Sequence, residues 1–194
     1  MINPEKELYK KIYNNSDKWP EYGYGNHGKK YLNTILKYNP SSLLDVGCGY
    51  NELVIECRDN GYVKDALGID FVSPGADEQC DILKLPFPDK RWDWITAFDV
   101  LEHLLPEQVS TGLFEMCRVS NHFAFTISYE KAITNVDGRN VHPTVWRPEI
   151  WKMEIENTGG KIFKESIPIM INYKKRTAGF WIGKWTEDKH NANI

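Results

Sequence analysis

The sequence predicts an α/β protein with a mostly parallel β-sheet, helices on both faces of that sheet and an antiparallel hairpin at its C-terminal end. Between residues 42 and 127, short and wholly apolar runs alternate with segments whose apolar residues recur at helical spacing. Such runs are typical of parallel strands that are buried on both faces. After residue 160, two strand-like segments are separated only by a short polar turn, which favours antiparallel pairing at the edge of the sheet.

Each predicted element has its own local signal. Apolar side chains at helical spacing predict helices, and short continuous apolar runs predict strands. Pro148 suits the first turn of a further helix, whereas the glycines and aromatic residues of 19–28 predict a loop. The other predicted helices span 4–14, 28–38, 52–60 and 107–118, and the predicted strands span 42–46, 66–69, 92–98, 122–127, 161–171 and 177–185.

Length and composition narrow the class of protein. A chain of 194 residues with 41% apolar side chains favours a single domain, which divides into an N-terminal helical and loop cap (1–38), a ligand-binding core (42–127) and a C-terminal part of loop, helix and hairpin (128–194). A net charge of −3 argues against a general nucleic-acid binder. The four cysteines lack zinc-ligand spacing and are interpreted as reduced thiols. Because neither a signal peptide nor a membrane span is recognisable, we expect a cytoplasmic protein.

The densest functional signal is the turn that follows the first predicted strand. Gly47 and Gly49 let the backbone approach a ligand closely, and the N-terminus of the next helix favours a negatively charged group. Asp70 lies 21 positions after Gly49, at the end of the second strand, where an acidic residue can accept both hydroxyls of a ribose. As a strand-end acid, Asp70 is expected to add little to packing. Glu52 replaces the third glycine of the dinucleotide fingerprint, which counts against NAD and FAD.

Three segments stand in a fixed order along the chain. They are Leu-Leu-Asp-Val-Gly-Cys-Gly at 43–49, a stretch containing Leu-Pro-Phe at 80–93, and Asp-Val-Leu-Glu-His at 99–103. Together they resemble the class I, Rossmann-like methyltransferases. This resemblance implies a Rossmann-like fold, S-adenosylmethionine as the cofactor and methyl transfer as the activity. It is strongest for the small-molecule enzymes with the Leu-Pro-Phe segment, so a small-molecule acceptor is expected.

The resemblance also implies a binding role for each of eight residues, and each role suits the chemistry of the group. The roles are orientation of the glycine turn (Asp45), lining of the methionine end (Gly47 and Gly49), ribose binding (Asp70), acceptance from the adenine amino group (Asp81), donation to the adenine ring by a backbone N–H (Ile82), a backbone carbonyl for the cofactor ammonium (Phe98) and a place beside it (Asp99). No metal ion is expected, because Asp99 and Glu102 alone are too few acids for a magnesium site.

Two histidines are candidates for a general base or for a group that orients the acceptor. His103 follows the fourth strand, close to the expected position of the reactive methyl group, although it can equally serve the turn itself. His142 lies in the polar stretch 128–147, which is too long for a simple connection. We expect this stretch to form one wall of the acceptor pocket, with 19–27 opposite. A surface histidine is the simpler interpretation of His142.

Other functions remain open. The protein can bind S-adenosylmethionine without transferring a methyl group, or it can methylate a macromolecule. Against nucleic acid, the sequence after the fourth strand lacks the Pro-Pro motif of enzymes that methylate DNA amino groups, and no cysteine follows a proline as in cytosine-C5 enzymes. A short basic cluster favours nucleic acid, but a solvated turn explains it as well; it comprises Lys174, Lys175, Arg176 and Lys184. A nicotinamide oxidoreductase is disfavoured by Glu52.

Overall fold

The computed structural model describes residues 4–15, 17–20, 22–24, 26–166, 170–171, 174–175 and 178–186. The helices in these ranges are α1 (Pro4–Tyr13), α2 (Asn26–Leu36), α3 (Glu52–Asp59), α4 (Val109–Val119) and α5 (Pro148–Asn157). The strands are β1 (Ser42–Val46), β2 (Asp65–Asp70), β3 (Glu78–Gln79), β4 (Trp92–Phe98), β5 (Ser120–Ser128), β6 (Asn135–Val136), β7 (Arg139–Asn140), β8 (Gly160–Ser166), β9 (Met170–Ile171), β10 (Lys174–Lys175) and β11 (Ala178–Trp185). None of the helices in the described ranges has the length and apolar character that a membrane span requires.

Seven strands form one sheet in the order β3-β2-β1-β4-β5-β11-β8. The first five strands of this order run parallel, and β11 runs antiparallel to both β5 and β8. The predicted parallel sheet with an antiparallel C-terminal hairpin is therefore confirmed. The hairpin folds back so that β11 takes the inner position and β8 the edge. The reason is that β11 is mostly apolar and is buried along its length except at Lys184, whereas β8 carries more polar residues and is largely exposed.

Helices cover both faces of the sheet, as predicted. On one face, α4 and α5 pack through buried side chains such as Leu113 and Trp151. On the other face, α2 and α3 pack through side chains such as Ile35 and Val54. The sheet thus lies between two apolar layers, and the carboxyl ends of its parallel strands meet at one edge, where open α/β sheets bind their ligands.

Above that edge, α1 packs against the 128–147 segment rather than against the sheet. Leu8 and Ile12 form a small separate core with Val136 and Val141. Two ion pairs reinforce this contact, Glu5 with Arg139 and Lys11 with Asp137. The 128–147 segment is therefore more than a loop, since it contains the β6–β7 hairpin and buries part of its length. We refer to α1 together with residues 22–24 as the roof.

Candidate functional site

The glycine turn after β1 has the geometry that its sequence indicates. Gly47 and Gly49 have φ angles of 67° and 56°, in the left-handed region that favours glycine. A Cβ atom on Gly49 would lie 1.9 Å from the carbonyl oxygen of Gly23 in the roof. The same oxygen accepts a hydrogen bond of 2.8 Å from the backbone N–H of Tyr50. The roof therefore sits directly on the glycine turn, at a distance that no side chain would allow.

Asp70, at the end of β2, ties three backbone segments together. Its carboxylate accepts hydrogen bonds from the backbone N–H groups of Gly49 (3.2 Å), Val72 (2.9 Å) and Ser73 (2.8 Å). Burial raises the pKa of the Asp70 carboxyl, and these hydrogen bonds act in the opposite direction. The hydroxyl of Tyr13, from the roof, lies 3.5 Å from Oδ2 of Asp70. Asp70 is thus a structural anchor of the glycine turn as well as a polar group at the cavity.

Asp45 lies beneath the site. Its Oδ1 accepts a hydrogen bond of 2.6 Å from the hydroxyl of Thr96 in β4. Burial raises the pKa of the Asp45 carboxyl to about 7, and the Thr96 hydrogen bond partly offsets this. The observed contact joins β1 to β4, so the orientation of the glycine turn that the resemblance implies for Asp45 has no direct hydrogen bond behind it.

A cavity of about 310 Å³ lies between the strand ends and the roof. It brings together most of the residues that the sequence singles out, whereas Asp45 and Gly49 lie behind its wall. The lining residues among those predicted are Gly47, Asp70, Asp81, Ile82, Phe98, Asp99 and His103. The roof contributes Glu5, Tyr9, Tyr13, Tyr22, Gly23 and Tyr24. The cavity is of the size of ordinary small-ligand sites, which span about 300–1,000 Å³.

Two backbone features shape the floor of this cavity. Asp81 Oδ1 accepts a hydrogen bond of 2.9 Å from the N–H of Leu83, which closes a tight turn. Asp99 has a φ of 55°, and its carboxylate accepts a hydrogen bond of 2.9 Å from the Thr126 hydroxyl. This positive φ for a residue other than glycine is held by β5, since the Asp99 N–H donates to the carbonyl and hydroxyl oxygens of Thr126.

His103 lies at one end of the cavity, beneath Tyr9. The Tyr9 hydroxyl is 3.2 Å from Nδ1 of His103, and it is also within 3.4 Å of the Val141 carbonyl oxygen. Burial, followed by the neighbouring His142, lowers the pKa of His103 to about 3. At neutral pH the ring is therefore uncharged, and it offers one donor and one acceptor nitrogen.

His142 supports His103 from behind and does not line the cavity. The two rings meet edge to face, with 4.7 Å between their centroids. Nδ1 of His142 lies 2.7 Å from the carbonyl oxygen of Glu130, so it is this nitrogen that carries a proton and donates. The expectation that 128–147 forms a wall of the pocket is wrong, because the segment contributes no lining residue. The roof takes that place, and 128–147 holds the roof.

Two features of the site are not predicted from the sequence, namely the lining residues of α1 and the buried state of Glu102. Tyr9 and Tyr13 are four positions apart, so they share one helix face beside the Leu8 and Ile12 stripe, and this second stripe was the available signal. Glu102 is fully buried and its Oε1 accepts a hydrogen bond of 2.7 Å from the Ser128 N–H. Burial and the nearby Asp99 raise the pKa of Glu102 well above its usual range. No local pattern marks such a residue.

Comparison with known proteins agrees with this geometry. Residues 25–111 match a family model described as a methyltransferase domain. No curated protein matches the chain significantly.

Among solved structures, the chain resembles a Burkholderia thailandensis 1,6-didemethyltoxoflavin N1-methyltransferase bound to its acceptor and S-adenosylhomocysteine, at 16% identity and a TM-score of 0.68, covering 96% of this chain and 92% of that one. It also resembles the magnesium protoporphyrin IX methyltransferase of Synechocystis with bound S-adenosylhomocysteine, at 12% identity and a TM-score of 0.64, over 94% of this chain and 100% of that one. A third similar structure is the (4+2)-cyclase SpnF, at 14% identity and a TM-score of 0.60, over 79% of each chain. Residues 25–111 thus match a methyltransferase domain, and the chain has the fold of known methyltransferases.

Proposed function

We propose that the protein transfers the methyl group of S-adenosylmethionine to a small molecule held between His103 and the roof. The observation that carries the proposal is the single cavity that collects the predicted cofactor residues and His103. The chain divides accordingly, with the cofactor residues in 42–127. Residues 128–147 support the roof, and strands β8 and β11 complete the sheet.

The residues present fit the cofactor. Asp70 presents a carboxylate to the cavity, and in the described part of the chain Tyr13 is the one side-chain donor to it, so ribose hydroxyls can take the place of the Tyr13 hydroxyl. A Cβ atom on Gly47 would lie 2.5 Å from the side chain of Val100, so the turn stays open to a ligand only as glycine. Asp81 and the Ile82 N–H would hold the adenine. The Phe98 carbonyl and Asp99 would hold the ammonium, with the glycine turn at the methionine carboxylate.

When bound, S-adenosylmethionine would supply an electrophilic methyl group for a lone pair of the acceptor, with S-adenosylhomocysteine as the leaving group. The chain's own contribution is positioning and the exclusion of water. An acceptor with an O–H or N–H group must also lose a proton. His103 is uncharged at neutral pH, so its ring can orient that group through a hydrogen bond, whereas a pKa of about 3 makes it a weak acceptor of the proton; His142 acts on it through the ring contact.

A small acceptor is supported by the enclosed cavity and by two of the similar structures, whose names specify small-molecule acceptors. The alternative of a cofactor-binding protein without methyl transfer is favoured by one observation, the similar fold of a cyclase. For a macromolecular acceptor, the basic cluster falls largely outside the described side chains, and Lys184 is exposed on β11 next to Lys161. Four free thiols support a reducing compartment and hence a cytoplasmic location.

Calorimetry tests the cofactor assignment directly. S-adenosylhomocysteine should bind with micromolar or better affinity, and NAD should not bind. S-adenosylhomocysteine and NAD both contain an adenosine, but only S-adenosylhomocysteine carries an amino-acid tail. The comparison therefore distinguishes a methyltransferase cofactor site from a nicotinamide site. Binding of NAD together with no response to S-adenosylhomocysteine would refute the proposal.

A further inference from the structure

We infer that the methyl acceptor is a ring-containing small molecule that carries no negative charge, and this rests on the proposed function. The chemistry of the cavity wall points to this class. Four acidic residues and four tyrosines line the same space. Among the described residues that line it, there is neither a lysine nor an arginine.

The charged residues that line the cavity disfavour a negatively charged acceptor. Of the four lining acids, Asp70, Asp81 and Asp99 hold the cofactor in the proposed function, which leaves Glu5 as the acid available to the acceptor. A carboxylate or phosphate on the acceptor would enter this enclosed space without a cationic partner, and an unpaired buried charge is strongly unfavourable. Proteins that bind anionic small molecules place arginine or lysine against them.

Two cations beside lining residues are engaged with other groups. Arg139 forms an ion pair with Glu5 at the edge of the roof. The ammonium of Lys6 lies 5.4 Å from the centre of the Phe71 ring, beside the tip of β2. His103 does not replace them, since burial and His142 keep its ring uncharged at neutral pH. The acceptor end of the cavity therefore offers neutral hydrogen-bonding groups and no positive charge of its own.

The aromatic rings indicate the shape. Tyr13 and Tyr22 meet edge to face at 5.6 Å, and Tyr22 meets His103 in the same way at 6.3 Å. Tyr9 adds a fourth ring, 5.8 Å from His103. Planar rings pack favourably in such edge and face arrangements, and aromatic faces also attract cations. The Tyr9 hydroxyl and the His103 ring add a polar end that suits an uncharged hydroxyl or amine.

The test uses three probes that share one ring and differ in charge: 4-hydroxybenzylamine, 4-hydroxybenzyl alcohol and 4-hydroxybenzoate. Binding is measured by saturation-transfer NMR and titration, with the protein saturated in S-adenosylhomocysteine so that only the acceptor end is free. We expect the amine and the alcohol to bind at millimolar concentrations and the benzoate to bind about tenfold more weakly or worse. Equal or tighter binding of the benzoate overturns the inference, and so does failure of both other probes to bind.

A matched pair of variants places the effect in the cavity. Glu5→Lys puts a cation into the wall, whereas Glu7→Lys makes the same change of charge on the same helix at an exposed residue that pairs with Lys10. We expect Glu5→Lys to strengthen benzoate binding several-fold and Glu7→Lys to leave it unchanged. Equal effects of the two variants would show that long-range charge, and not the cavity wall, governs selectivity. Binding of S-adenosylhomocysteine is recorded first in each preparation, so failure of the proposed function is seen separately.

Discussion

Asp70 provides the sharpest test of the site, because it carries both a structural and a ligand-binding role. In Asp70→Ala, the N–H groups of Gly49, Val72 and Ser73 lose their acceptor. Each buried donor left unpaired costs roughly 1–3 kcal/mol, so the loss of the acceptor for all three should lower the free energy of unfolding by about 3–9 kcal/mol. This revises the expectation from the sequence that a strand-end acid adds little to stability.

Asp70→Asn separates the two roles. The amide keeps one oxygen for the Val72 and Ser73 N–H groups and loses the acceptor for Gly49 and for the ribose, so the stability loss should be only about 1–2 kcal/mol. Cofactor affinity should nevertheless fall by roughly ten- to a hundredfold, since a charge-assisted hydrogen bond contributes about 1.5–3 kcal/mol. Urea unfolding and calorimetry with S-adenosylhomocysteine measure the two quantities.

Asp77→Asn is the matched control. Asp77 accepts hydrogen bonds from the Gly68 N–H and from Arg58, but it does not line the cavity. The Asp77→Asn variant should be less stable than the wild type and should bind S-adenosylhomocysteine with unchanged affinity. The reasoning fails if Asp70→Asn binds S-adenosylhomocysteine within about threefold of the wild type, or if Asp70→Ala unfolds at the wild-type urea concentration.

Three further predictions concern the turn, the buried acid and the second histidine. Burial raises the pKa of the Asp45 carboxyl to about 7, above the ~3.9 of an unfolded chain. The contribution of this carboxyl to the free energy of unfolding should therefore be greatest below about pH 4 and fall as the pH rises towards 7. Urea unfolding of Asp45→Asn should lack that dependence on pH. Gly49→Ala should destabilise the protein and weaken S-adenosylhomocysteine binding, whereas Gly61→Ala, with a similar φ and open space around it, should cost only about 1 kcal/mol; equal costs would count against the contact with the roof. His142→Ala should leave S-adenosylhomocysteine affinity within about threefold and lower turnover once an acceptor is identified, and normal turnover would reduce His142 to a packing residue.

The fold was predictable where burial dictates the pattern. β1 and β4 begin and end at the predicted residues, because a strand buried on both faces needs a largely apolar run, which here tolerates a few polar residues. β3 was not predicted, since two exposed polar residues carry no pattern. The inner position of β11 depends on how much more apolar it is than β8. The order of strands in the sheet is set by tertiary packing, which the sequence of a single segment does not encode.

The cofactor half of the site was predictable for a different reason. Its residues follow strand ends, and parallel strands place their carboxyl ends at one edge, so sequence order alone brings Gly47 and Asp70 together. The roof was not predictable. The helical spacing of α1 indicates an amphipathic helix, but it does not indicate that Tyr9 meets His103, 94 residues away. Such a contact depends on the path of the whole chain.

The roof has a consequence for the order in which the site is completed during synthesis. α1 leaves the ribosome before its partners in the chain, which lie far downstream, with Glu5 and Arg139 separated by 134 residues. A helix of ten residues is marginal on its own in water. α1 therefore has no stable docking place until the β6–β7 hairpin has emerged, by which time β1 to β5 are already outside. The ribose and adenine groups of the site can assemble early and locally, and the space for the acceptor becomes enclosed only at the end of folding.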